Sequence, residues 1–282
     1  MKLNEMRILL ESKGIQLTKS LGQNFLHDEN QLRRIVDAAQ LTHSDQVLEV
    51  GPGLGPLTEW LVAYVTSVMA IEVDHRLCEV LRERFIAIKN LTLIHADALD
   101  YFKDRPRDWR NWKLVANLPY SVASPILVEL ALSGQGPMRM VVTLQREVAQ
   151  RLVAKADTDE YGLLTLLVQL DYEGRIAFRI PSGCFFPEPG VESACAVMQR
   201  RARPLLSDPD RKVFVRLVRQ SFSQRRKKMS KLLKPEWPEE VLLRLMGDCG
   251  LDPDVRAEKV TLEQFVALAG RLSEWRMSQG VN

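Results

Sequence analysis

The sequence predicts an α/β fold: a Rossmann-like, mostly parallel sheet over residues 1–203, followed by a small all-helical domain over residues 204–282. Three observations carry this. An apolar run, Gln46 to Val50, enters a glycine-rich turn and then a helix start at Pro56. Further short apolar runs alternate with helical patterns, which is the signature of βαβ units. Around Arg203-Pro204 both the periodicity and the charge change, and four helical segments follow.

In chain order, residues 6–13 read as a short helix stopped by Gly14. The segment Gly22-Gln23-Asn24-Phe25-Leu26 fits neither a helical nor a strand period. It precedes a helix whose N-cap is Asp28, with Gln31 three residues on and Leu32, Ile35, Val36 and Ala39 on one face. The first buried strand leads into Gly51-Pro52-Gly53-Leu54-Gly55-Pro56, where Pro56 suits the first helical position. The spacing is GxGxG, not the GxGxxG of dinucleotide-binding turns, so a nicotinamide cofactor is disfavoured. The second strand, Ser67 to Ile71, ends at Glu72, an acid suited to a ribose diol. The third, Leu91 to His95, ends at Asp97, which could accept from an adenine amino group. A glycine turn and two acids on successive strand tips outline an adenosine pocket on the C-terminal edge of a parallel sheet.

The fourth strand, Lys113 to Asn117, delivers Asn117-Leu118-Pro119-Tyr120 to that same edge. Pro119 cannot continue a ladder and biases Leu118 toward extended geometry. The turn therefore presents an amide side chain, a carbonyl and an aromatic ring. The Asn117 side-chain oxygen and the Leu118 carbonyl can each accept one N–H of an exocyclic amino group, and Tyr120 can stack on the ring. Set beside an adenosyl pocket, this is the layout of an S-adenosylmethionine-dependent methyltransferase acting on an amino nitrogen of a base. Met138 to Leu144 reads as the fifth strand, Gln169 to Ile180 and Val191 to Gln199 as a closing antiparallel pair. Phe185 and Phe186 lie in a Pro/Gly-rich loop. One of them is expected to plug the core and one to form a second stacking wall opposite Tyr120.

Composition narrows the class. No apolar run approaches the ~20 residues that span a bilayer, and the N-terminus lacks a signal peptide's apolar stretch. Cys78, Cys184, Cys195 and Cys249 have no ligand spacing. A cytoplasmic, metal-free protein is expected, with no membrane partner. Net charge is +3, yet Arg200 to Lys234 holds 13 Lys/Arg against 2 acids, leaving −8 on the remainder. Such asymmetry points to a polyanion. The run Arg225, Arg226, Lys227, Lys228 is the strongest phosphate-binding candidate.

These motifs resemble a known family, the ribosomal RNA small-subunit adenine dimethyltransferases (KsgA/RsmA type). The resemblance rests on GQNFL at 22–26, EVGPGLGPLT at 49–58, IEVD at 71–74, DAL at 97–99 and NLPYSVASPIL at 117–127. It continues through LQREVAQRL at 144–152, YGLLT at 161–165, FFPEPGVES at 185–193 and FSQRRKK at 222–228. It implies a class I S-adenosylmethionine-dependent methyltransferase domain with a seven-stranded sheet. Asn24, Leu26, Gly51, Glu72, Asp97 and Asn117 would line the cofactor site, with Gly53 in the same glycine turn. Asn117, Leu118, Tyr120 and Phe185 would hold the target adenine. The family methylates N6 of two adjacent adenosines, twice each, in a hairpin loop near the 3′ end of 16S rRNA, during assembly of the 30S subunit. A monomer is expected. Gly190, Glu192, Thr165 and Met229-Ser230-Lys231 depart from the family's usual Lys, Asp, Ser and Leu/Asn-bearing stretch. The alternatives are a large-subunit (23S) rRNA adenine methyltransferase of the macrolide-resistance type, or a non-catalytic ribosome-assembly factor.

Overall fold

The computed structural model describes residues 1–17, 22–224 and 226–279. It divides into two compact units. The first comprises Met1–Ala149 and Glu173–Arg200, the second Gln150–Tyr172 and Arg201–Asn282. The sequence reading put residues 150–172 with the first domain and the boundary near Pro204. In the structure these residues cluster with the C-terminal helices, and the chain returns to the sheet at Glu173.

The first unit begins with α1 (Leu3–Ser12) and the two-residue strand β1 (Phe25–Leu26). Helix α2 (Glu29–Ala39) is capped as its sequence requires. The Asp28 side chain accepts from Gln31 N at 2.9 Å, and Leu32, Ile35, Val36 and Ala39 are buried. Burial of each large aliphatic side chain contributes roughly 1.5–3 kcal/mol. Strand β2 (Gln46–Val50) leads to α3 (Pro56–Tyr64), with Pro56 at the helix start. There follow β3 (Ser67–Glu72), α4 (His75–Arg84), β4 (Leu91–His95), α5 (Ala98–Asp104), β5 (Trp112–Asn117), α6 (Ala123–Leu132) and β6 (Arg139–Gln145). Helix α7 (Arg146–Leu152) carries the chain into the second unit, which opens with α8 (Leu163–Gln169). The sheet resumes with β7 (Tyr172–Ile180), the short β8 (Phe185–Phe186) and β9 (Ser193–Arg200).

The main sheet has seven strands in the order β4-β3-β2-β5-β6-β9-β7. Strands β4, β3, β2, β5 and β6 are mutually parallel, and β9 enters antiparallel to β6. Because β2, β3, β4 and β5 point the same way, Gly51, Glu72, Asp97 and Asn117 arrive at one edge. The chain order reverses between β2 and β5, and a ligand crevice opens at such a switch point.

A second ribbon pairs β1 with β8 antiparallel, Phe25 opposite Phe186 and Leu26 opposite Phe185. Alternation along a strand sends the two pairs to opposite sides. Leu26 and Phe185 enter the main core with Ile35, Val115 and Val141. Phe25 packs with Met6, Leu10, Leu54 and Leu77, with Phe186 against the same cluster.

The second unit continues with α9 (Asp208–Ser221), α10 (Met229–Leu233), α11 (Glu239–Asp248) and α12 (Leu262–Ser278). Its core holds Phe214, Leu217, Trp237, Phe265 and Leu268. Arg211 grips Asp171 with both terminal nitrogens, and Tyr161 donates to the Val260 carbonyl at 2.8 Å. Thr165 keeps the hydroxyl that a serine would supply there, donating to the Arg151 carbonyl at 2.6 Å. Among the described residues, no helix is long and apolar enough to cross a membrane.

Candidate active site

A cleft opens at the C-terminal edge of the parallel strands. Asn24, Gly51, Gly53, Glu72, Asp97, Asn117, Leu118 and Tyr120 all line it. Eight of the residues singled out from sequence thus converge on one cleft.

The glycine turn forms one wall. Gly51 and Gly53 take φ of +68° and +62°, which costs a side-chain-bearing residue roughly 1–2 kcal/mol. Space adds a second requirement. A Cβ on Gly51 would lie 3.0 Å from the Pro119 ring, and one on Gly53 2.6 Å from the Phe25 ring. Both glycines allow the turn to press against the Asn117–Tyr120 segment and β1.

Glu72 is nearly fully buried at the end of β3. Its Oε2 accepts from Gly53 N at 3.0 Å, and its Oε1 from Val73 N and Asp74 N, each at 3.0 Å. Two carboxylate oxygens offer about four acceptor positions, so three N–H groups leave one for a ligand hydroxyl. Burial raises its pKa. Beneath it Glu49 accepts from Thr58 Oγ1 at 2.7 Å, and burial pushes its carboxyl up to about 8. Asp74 behaves oppositely: its hydrogen bonds to Arg76 lower it to about 2. Asp97 caps α5, Oδ1 accepting from Leu99 N at 2.8 Å and Asp100 N at 3.2 Å.

Asn117 is oriented by its neighbour. Its Nδ2 donates to the Asn24 carbonyl at 2.8 Å. A carbonyl can only accept, so the amide nitrogen must face Asn24 and Oδ1 must face away. That Oδ1 is buried and has no hydrogen-bond partner. An unpaired buried acceptor costs about 1–3 kcal/mol, and an N–H of a ligand would relieve it. Leu118 N is held to the Thr143 carbonyl at 3.1 Å. The Tyr120 hydroxyl bonds Ser193 Oγ, and burial raises the phenol pKa, so the ring stays neutral.

Two expected site residues lie elsewhere. Leu26 and Phe185 are 1% and 3% exposed, paired across the ribbon and turned into the core. The strand period that brings Phe25 to the cleft takes Leu26 away from it. A stacking wall from Phe185 is therefore corrected to a core plug. Phe25, which the sequence reading passed over, lines the cleft instead, and Gln23 braces the rim through Asp74 at 3.0 Å. Both lie in the GQNFL stretch at 22–26, whose sequence matches neither a helical nor a strand period.

In the basic run, Arg226 and Lys227 are exposed. Lys228 pairs with Asp254 at 2.6 Å. Arg225 lies outside the described residues.

The strand order, with one antiparallel strand inserted beside the parallel set, and the glycine turn at the strand ends define a class I methyltransferase fold. The chain belongs to the ribosomal RNA adenine dimethylase family, whose profile matches residues 14–274. Ribosomal RNA small subunit methyltransferase A of Streptococcus pneumoniae (strain P1031) is 38% identical over 94% of this chain and 95% of its own. The protein of that name from Bacillus cytotoxicus is 37% identical over 97% of both. Among solved structures, the 23S rRNA methyltransferase ErmE superposes with TM-score 0.67 at 27% identity, covering 88% of this chain and 99% of ErmE. A dimethyladenosine transferase from Plasmodium falciparum gives TM-score 0.76 at 22% identity, covering 91% of this chain and 98% of its own.

The family implies S-adenosylmethionine, and the residues present fit an adenosyl ligand. The glycines leave the wall open, and Glu72 has an acceptor position to spare.

Proposed function

We propose that this protein transfers methyl groups from S-adenosylmethionine to N6 of two adjacent adenosines in a hairpin loop near the 3′ end of small-subunit rRNA, within an assembling 30S particle. The observation that carries the site assignment is the buried, unpartnered Oδ1 of Asn117, fixed by Asn24 and facing away from it. The full-length similarity to small-subunit methyltransferases supports the choice of rRNA over the large-subunit alternative.

When bound, the cofactor supplies an already activated methyl group, so the protein's task is to orient and desolvate. Glu72 would accept from a ribose hydroxyl, Asp97 from the adenine amino group, and Gly51 and Gly53 would admit close backbone approach. Asn117 Oδ1 and the Leu118 carbonyl would accept the two N–H bonds of the unmodified amino group; after the first transfer releases one N–H proton, one of the two would accept the N–H that remains. The nitrogen lone pair, delocalised into the ring in the free base, is thereby turned toward the donor. Positive charge growing on that nitrogen strengthens both bonds in the transition state. Tyr120 would stack on the base, which a loop nucleotide presents at lower unstacking cost than a paired one. Arg226 and Lys227, with Arg225 and Lys228, would contact phosphates.

The test is nucleoside mass analysis after incubating the protein and S-adenosylmethionine with immature 30S particles or with naked 23S rRNA. N6,N6-dimethyladenosine confined to the small-subunit RNA supports the reading. Methylation confined to 23S rRNA, or none on either, refutes it.

A further inference from the structure

Tyr120 is held at both ends. At its backbone, Val122 N closes the turn onto the Pro119 carbonyl at 3.1 Å, and Gly51 packs against the Pro119 ring. At its far end, the hydroxyl meets Ser193 Oγ. Ser193 is fully buried and opens β9, in register with Gln145 of β6. The residue before it is clamped twice by the β6–α7 junction. Arg146 N donates to the Glu192 carbonyl at 2.9 Å, and Arg146 Nη1 pairs with Glu192 Oε2 at 2.7 Å. The position of Ser193 is therefore set by the sheet, although it follows directly on the Pro/Gly loop.

We propose that Ser193 is a positioning residue for methyl transfer: its hydroxyl fixes the Tyr120 ring in the plane that receives the target base. A phenol side chain has two rotatable bonds, and anchoring its oxygen to a buried strand residue restrains both. A stacking surface so restrained loses no rotamer freedom when the base arrives. The backbone bond from Arg146 N to the Glu192 carbonyl ties this arrangement to the β6–α7 junction. The inference rests on the reading that Tyr120 stacks on the adenine.

A bond that merely satisfied a buried phenol would affect stability alone. The two roles separate in a double-mutant cycle of Ser193→Ala and Tyr120→Phe, with Tyr120→Ala as control. Melting temperature, cofactor Kd, and kcat and KM for 30S particles are measured for each variant, well below its Tm. Each single change removes the same bond from opposite ends. Each is expected to lower kcat/KM roughly 2- to 10-fold, the range of one net hydrogen bond, at unchanged cofactor Kd. The double variant should be no worse than either single one. Wild-type kcat/KM in Tyr120→Phe or in a folded Ser193→Ala overturns the inference, as do two losses that multiply in the double variant. Tyr120→Ala identifies which idea has failed. If it transfers normally, the stacking reading falls and takes this inference with it. If it is inactive while Ser193→Ala and Tyr120→Phe are normal, only the positioning role falls.

Discussion

Replacing Asn117 by alanine isolates the proposed chemistry. The change deletes the Nδ2 bond to the Asn24 carbonyl at 2.8 Å and the unpaired Oδ1. Losing the bond costs about 1 kcal/mol, and removing the unpaired Oδ1 offsets about 1–3 kcal/mol, so stability should fall little or not at all. It leaves Gly53, Glu72 and Asp97 in place, so cofactor affinity should stay within about tenfold of wild type. The larger effect falls on the transition state. Removing one group placed where charge develops typically slows catalysis by about 10²–10³-fold, or roughly 3–4 kcal/mol. The assay is single-turnover methyl transfer to 30S particles at saturating cofactor, with calorimetric titration of the cofactor in parallel. Unchanged transfer would refute the reasoning. So would a loss fully explained by weaker cofactor binding, since Asn117 would then act as a pocket wall.

Three further outcomes are expected. Glu72→Ala should weaken cofactor binding roughly ten- to hundredfold by calorimetry, the range for hydrogen bonds to a charged group; intact binding would remove its ribose role. Glu49, pushed up to about 8 by burial from an ordinary 4.5, holds a proton in the folded state that the unfolded chain has released. Its contribution to stability is thus full below pH 4.5 and is lost as pH rises to about 8, by an amount on the order of 5 kcal/mol. Urea denaturation from pH 5 to 8 should show a steeper decline for wild type than for Glu49→Gln, and equal slopes would contradict the assignment. Arg226→Glu with Lys227→Glu should weaken RNA binding and flatten its dependence on log salt by about 0.7–0.9 per lost phosphate contact; an unaltered slope would give these cations another role.

The parallel strands and the cleft were legible because their signals are local. Strands β2, β3 and β5 are short buried runs and β4 a partly exposed one; each stops at a polar residue or a glycine, and parallel geometry then collects those stops on one edge. Helix α8 was harder to read. Leu164 through Val168 are all buried, so no polar face marks a helical period, and the following strand begins at Tyr172 rather than Gln169. The fates of Leu26 and Phe185 were illegible for a different reason. They meet in a ribbon of two-residue strands far apart in sequence, and nothing local records which member of each strand turns inward. Asn117 Oδ1 could be named from its motif, but its orientation depends on the Asn24 carbonyl, a contact across 93 positions.

The most direct measurement is a crystal structure with S-adenosylhomocysteine and an adenosine nucleotide bound together. The account predicts the ribose of the first on Glu72 and the amino group of the second on Asn117 Oδ1, within the single cleft at the strand ends. Either ligand settling elsewhere, for instance in the cavity beside Glu59 and Trp60, with Asn117 Oδ1 still unpaired, would contradict it.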